Sequence, residues 1–151
     1  MGKQQLKKEQ QDIGAQVNRA VSQAIDFAIS RTGMSIGQKE QIRKIFYDND
    51  MADGILRLST TADMLSVQTY LNLGRISPEV ADSLGKSFVN KLNALLPEDV
   101  RRNLRFETRA YERDELPEYV RSNTPASKDD VFLMIKIEKV TPQKKPPVNV
   151  A

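Results

Sequence analysis

The segment from Leu104 to Tyr111 constrains the fold most, because small or apolar residues alternate with charged ones along it until Tyr111. Successive side chains of a β-strand point to opposite faces of a sheet, so this alternation predicts a strand with one core face and one basic, aromatic face. A second strand is predicted from Val131 to Val140, where the odd-numbered residues Val131 to Ile137 are apolar. Both strands lie in the last third of the chain.

Helical patterns precede these strands. Apolar and small residues recur at three- and four-residue steps after Asp12, and Ser35 and Ser77-Pro78 are typical helix starts. We predict an α+β fold of about four N-terminal helices packed on a small antiparallel sheet formed by the C-terminal third. The predicted helices run from Asp12 to about Gly33, from Ser35 to Phe46, from Thr60 to Leu73 and from Ser77 to Leu95.

Three segments are predicted along the chain. Residues 1–11 are rich in Gln and Lys and are expected to form a flexible basic arm, and residues 12–141 a single domain. Residues 142–151 contain Lys and adjacent prolines and are expected to be a disordered tail. The acidic segment from Tyr47 to Gly54 is predicted to be a polar loop in which Gly54 takes a left-handed turn, because its spacing does not match an EF-hand.

The composition narrows the possible chemistry. The chain contains no Cys and no His, which excludes disulfides, thiolate nucleophiles, imidazole bases and zinc sites built from Cys or His. Glu138-Lys139 lacks the Glu-x-Lys spacing of metal-dependent nucleases, and no glycine-rich phosphate loop is present. We therefore predict a non-enzymatic protein with no catalytic residues, no metal and no cofactor.

The sequence also bears on location. No stretch reaches the roughly 18 apolar residues of a membrane span, and the start of the chain lacks an apolar signal segment. Absence of cysteine suits a reducing compartment. We expect a cytoplasmic protein without a membrane partner.

The distribution of charge suggests an anionic partner. Residues 101–151 hold 11 Lys and Arg against 8 Asp and Glu, including the arginine-rich run from Arg101 to Arg113. Cations and aromatic side chains on one strand face are typical of surfaces that bind single-stranded nucleic acid. We predict an accessory protein that binds RNA or single-stranded DNA. The predicted contacts are Arg101, Arg102, Arg105, Arg109, Tyr111 and Lys136, with Phe132 and Met134 on the same face.

Two alternatives remain open at this level. A helix could cover Phe132 and Met134, and the Arg-Glu alternation would then be an ordinary solvated strand face. The chain could instead be a structural or adaptor protein of a multiprotein assembly such as a phage or virion-like particle. Its partner, or a second copy, would then bind through residues 13–29 of the first helix and through the terminal tails.

Overall fold

The computed structural model describes residues 2–123 and 127–140, with side chains from Ile13 onward. Within these residues, helices pack on one antiparallel sheet, and the predicted α+β class is confirmed. The helices are Gly2–Ser30 (α1), Ile36–Asp48 (α2), Met51–Thr60 (α3), Pro78–Leu95 (α4), Glu98–Arg101 (α5) and Glu118–Asn123 (α6). The strands are Ser66–Asn72 (β1), Leu104–Glu112 (β2) and Val131–Lys139 (β3), and a 3-10 turn covers Arg113–Glu115.

The sheet has the order β1-β3-β2, with both neighbouring pairs antiparallel. The two strands predicted from alternation are confirmed as β2 and β3. β3 is buried on both faces from Val131 to Ile135, which is why it occupies the centre. β2 shows the expected alternation, since Leu104 is buried while Arg105, Glu107 and Arg109 are exposed.

The third strand corrects one prediction. The segment from Thr60 to Leu73 was predicted to be a helix. Instead, α3 ends at Thr60, and residues Ser66–Asn72 form β1. Val67 and Leu71 are four residues apart and satisfy a helical pattern, but they also lie on one face of a strand at a period of two. Pairing with the apolar strand β3 favours the strand over the helix, because it buries Leu71 and Leu73 in the main core.

The loop formed by the acidic segment is also shorter than predicted, because α2 ends at Asp48 and α3 begins at Met51. Asp50 takes the left-handed conformation at φ 43°, and α3 begins at Met51, so Gly54 lies inside a helix rather than in a turn. Met51, Ile55 and Leu58 are buried at helical spacing, and their burial favours a helix over the polar loop we predicted.

The first helix begins earlier than Asp12. α1 starts at Gly2, in a segment of good helix formers with no proline, whereas an arm was predicted there. Its small-residue face packs mainly against α4, where Val17, Ala24 and Ala28 are fully buried. The face predicted to bind a partner through residues 13–29 is thus occupied within the protomer. The predicted tail at residues 142–151 lies outside the described residues.

α4 links the helices to the sheet. Ser77 caps it, with the backbone N–H of Val80 donating to the Ser77 hydroxyl at 3.1 Å, and Pro78 follows at the first helical position as predicted. α4 packs on β2 and β3, and Gly85 leaves no room there for a Cβ beside Leu133 and Thr108. All the major helices therefore lie on one side of the sheet, called here the inner face.

Candidate functional site

The opposite side of the sheet, the outer face, carries the cations and aromatic residues predicted to bind nucleic acid. Strand register places these side chains in four rows across β1, β3 and β2. The rows are Ser66–Glu138–Arg105, Gln68–Lys136–Glu107, Tyr70–Met134–Arg109 and Asn72–Phe132–Tyr111.

Glu138 binds two of the predicted cations. Arg105 donates to Glu138 Oε2 through Nη2 and, at 3.2 Å, through Nε, while Lys136 Nζ lies 2.9 Å from Oε1. Hydrogen bonds from Lys136 and then Arg105 lower the pKa of Glu138, and the hydrogen bond to Glu138 raises the pKa of Lys136. Arg105 and Lys136 therefore face a carboxylate that already compensates part of their charge.

Arg109 is placed differently. Its guanidinium carbon lies 4.8 Å from the centre of the Tyr111 ring, and Tyr111 lies 6.1 Å from Tyr70, ring centre to ring centre. Within residues 13–123 and 127–140, Arg109 forms no ion pair. The rings of Tyr70 and Tyr111 are tilted by 53° to each other, and the guanidinium lies over the face of one of them.

Tyr119 extends this aromatic group from α6 and is 63% exposed. Burial and the nearby hydroxyl of Tyr119 raise the pKa of Tyr70 to about 12. Gln68 Nε2 donates to the Tyr70 hydroxyl at 3.0 Å. We call Tyr70, Arg109, Tyr111 and Tyr119 the tyrosine patch.

Phe132 and Met134 do not extend the patch. Phe132 is fully buried in a small cluster with Leu116 and Val120, because the segment after β2 covers that end of the outer face. Met134 is 4% exposed. The alternative of a covered sheet face therefore holds for these two residues.

The remaining predicted residues lie elsewhere. Arg101, on α5, donates through Nη1 to the carbonyl of Asn93 at 3.4 Å, toward the end of α4. Arg102 is exposed at the end of α5. The six predicted residues thus do not converge, since only Arg105, Arg109, Tyr111 and Lys136 share the outer face.

The charge of the outer face is nearly balanced. Glu107 and Glu138 accompany its three cations, and the segment next to the tyrosine patch brings both signs. The charged residues of that segment are Glu112, Arg113, Asp114, Glu115, Glu118 and Arg121. A polyanion gains little long-range attraction from such a surface, because binding strength follows the number of phosphates neutralised.

Sequence reasoning missed that β2 is an edge strand, which no further strand of the described residues covers. Val140 N–H donates to the Asn103 carbonyl at 2.8 Å, which makes Asn103 and Val140 a hydrogen-bonded pair in the antiparallel register. Such pairs alternate along a strand, so Arg105, Glu107 and Arg109 bond to β3. The intervening residues direct their N–H and C=O groups away from the sheet. These outward residues are Leu104, Phe106, Thr108, Ala110 and Glu112.

The outward backbone groups have few partners. Glu112 N–H donates to Glu115 Oε1 at 2.9 Å, but Phe106, Thr108 and Ala110 have no other backbone partner among the described residues. β1, at the other edge, is shorter and contacts α2 and α3. The edge was not predictable while β1 was taken for a helix.

No protein-family model, curated protein or solved structure matches this chain. In the part of the chain that the structure describes, no cluster of three or more acidic side chains could hold a metal ion. None of the helices there is both long and apolar enough to cross a membrane.

Proposed function

We propose that this protein is a non-enzymatic assembly or adaptor protein that binds another polypeptide strand at the open edge of β2. The observation that supports this function is the row of outward backbone groups at Phe106, Thr108 and Ala110 without partners in the described structure. Strand addition gives affinity through main-chain hydrogen bonds and specificity through the alternating side chains.

The edge of β2 carries exposed charges, at Arg105, Glu107 and Arg109, but lacks other features that protect an edge strand. Proteins guard edge strands with charged side chains, proline, bulges, inward-facing charges or short length. β2 has nine residues and no proline, and its inner-facing residues Phe106 and Ala110 are apolar and only partly buried. A strand added here would cover these side chains as well as pair the backbone.

This contact replaces the one expected at residues 13–29, whose small-residue face packs against α4. We place the protein in the cytoplasm, because a chain without cysteine suits a reducing compartment. Binding another polypeptide strand at a sheet edge would suit a component of a phage or virion-like particle.

Photo-crosslinking in the cells that make the protein tests this function. A photoreactive amino acid in place of Glu107, on β2, should give discrete adducts with a polypeptide. The matched control replaces Glu40, which is exposed on α2. Ala110→Pro should abolish the adducts, because it removes an outward N–H and leaves the ladder to β3 intact. Equal adducts from both positions, or none from Glu107, would contradict the function.

We also propose, as a second candidate, binding of single-stranded nucleic acid at the tyrosine patch. Stacking of Arg109 on Tyr111, beside Tyr70 and Tyr119, favours it. Bases stack on aromatic rings at about 1 to 3 kcal/mol each, and Arg109 would supply a phosphate or stacking contact.

Fluorescence anisotropy with labelled single-stranded RNA and DNA tests this candidate. Arg109→Ala should weaken binding about fivefold or more, and added salt should weaken it further. Arg105→Ala is the matched control with a smaller expected effect, because Glu138 engages that guanidinium. Absence of binding at low salt, or equal loss in both variants, would rule out the patch as the site.

A further inference from the structure

We infer that a second copy of this chain occupies the edge, with the two β2 strands antiparallel and Thr108 opposite Thr108 of the second copy. This arrangement joins two three-stranded sheets into one continuous six-stranded sheet. The inference rests on the proposed function and adds the identity of the bound strand and its register.

The backbone of β2 suits such pairing. Thr108 is the midpoint of Leu104–Glu112, so a two-fold axis there places all nine residues of one strand opposite those of the other. At the ends of this overlap Leu104 faces Glu112, whose N–H already donates to Glu115. Thr108 faces its own copy, and Phe106 faces Ala110 of the second copy. These are outward residues, so each of these pairs can exchange two backbone hydrogen bonds.

The outer face is complementary in the same register. Glu107 lies opposite Arg109 of the second copy, and Arg105 lies opposite Tyr111 of the second copy, each contact occurring twice. These are non-hydrogen-bonded pairs, in which Cα atoms of antiparallel strands lie about 4.5 Å apart, the closest cross-strand distance. Opposite charges and cation–aromatic pairs at this distance stabilise a sheet.

Neighbouring two-fold registers are less favourable. An axis at Glu107 places Glu107 against itself and Arg105 against Arg109, while an axis at Arg109 places Arg109 against itself. Like charges directly opposite one another destabilise a sheet. An axis at Phe106 also opposes Arg105 and Glu107, but it pairs only residues 104–108 of the strand. The register centred on Thr108 alone combines full overlap with opposite charges.

The inner face agrees with this register. The partly buried Phe106 lies opposite the small Ala110 of the second copy, so a large side chain meets a small one. Pairing would therefore extend the apolar core of each protomer across the two-fold axis.

Sedimentation equilibrium over a range of protein concentrations tests the inference on the full chain. The wild type is compared with variants in which the charge of Glu107 or Arg109 is reversed. Wild type should reach the mass of two chains at high concentration. Glu107→Arg and Arg109→Glu should each raise the dimer dissociation constant about tenfold or more, because each creates two like-charged pairs across the axis.

Rescue separates pairing from misfolding. The double variant Glu107→Arg/Arg109→Glu, and an equal mixture of the two single variants, should both dimerise again because opposite charges then face each other. Thermal unfolding of each single variant alone reports whether the protomer folds. If folded single variants dimerise as wild type does, or if neither combination restores dimers, the register is overturned.

Cysteine pairs give a second measurement, since the chain contains no cysteine of its own. Glu107→Cys mixed with Arg109→Cys should form a disulfide-linked heterodimer, because directly opposite Cβ atoms lie about 4.5 to 5.5 Å apart. The other Arg109–Glu107 pair stays intact in that heterodimer. Preferential homodimers of Glu107→Cys would instead indicate an axis at Glu107 and overturn the register.

Failure of the inference differs from failure of the proposed function. A wild type that remains monomeric at all concentrations excludes the second copy. Adducts of Glu107 with a different protein in cells would then still support binding at the edge, whereas their absence would remove both.

Discussion

At the scale of single residues, Glu138 limits how much positive charge the outer face offers. It lies in the central strand, opposite Arg105, and two residues from Lys136, so both cations reach its carboxylate oxygens. Arg109 is two rows away, opposite the uncharged Met134, and stacks on Tyr111 instead. The alternating sequence pattern does not distinguish Arg105 from Arg109. In the structure Glu138 engages Arg105, so Arg109 is the expected contact for nucleic acid and Arg105 is its control.

Gly85 shows how one residue sets the spacing of helix and sheet. A Cβ at this position would lie 2.7 Å from Cδ1 of the buried Leu133 and 3.1 Å from Cβ of Thr108. Gly85→Ala should therefore destabilise the fold by about 1 to 3 kcal/mol, the usual cost of overpacking, despite the higher helix propensity of Ala.

Gly37→Ala is the matched control for this change, since nothing lies within 4 Å of a Cβ there. It should leave stability unchanged or raise it by up to about 1 kcal/mol. Denaturant unfolding of both variants measures the difference. A Gly85→Ala protein as stable as Gly37→Ala would contradict the close approach of α4 to the sheet.

At the scale of elements, local signals predicted those parts of the fold that local interactions determine. Ser35 caps α2 and forms the reciprocal capping box with Gln38, and Ser77 caps α4. Alternation located β2, and apolar odd-numbered residues located β3, because each pattern extends over most of a nine-residue strand.

β1 could not be predicted in the same way. Its seven residues include Val67 and Leu71 at a spacing that suits a helix or a strand, and only pairing with β3 distinguishes the two. The same uncertainty hid which strands lie at the edges. Part of the candidate site was therefore predictable as a set of residues on β2, while its open backbone depended on tertiary structure.

At the scale of the whole molecule, the major helices lie on one side of the sheet, while α6 covers only one end of the outer face. Among the described residues, the sheet offers the tyrosine patch and the edge of β2 as open surfaces, and they share Arg109. In the dimer we infer, Arg109 would lie between Tyr111 and Glu107 of the second copy. Self-association and nucleic-acid binding at the patch should therefore compete.

Residue-resolved amide hydrogen exchange along β2 tests most directly whether this edge is open and becomes paired. In dilute protein, the amides of Phe106, Thr108 and Ala110 should exchange rapidly, while those of Glu107 and Arg109 are protected by β3. At high protein concentration, or in the native assembly, the outward amides should become protected as well. Protection of the outward amides already in the dilute monomer, or their continued rapid exchange in the assembly, would contradict pairing at this edge.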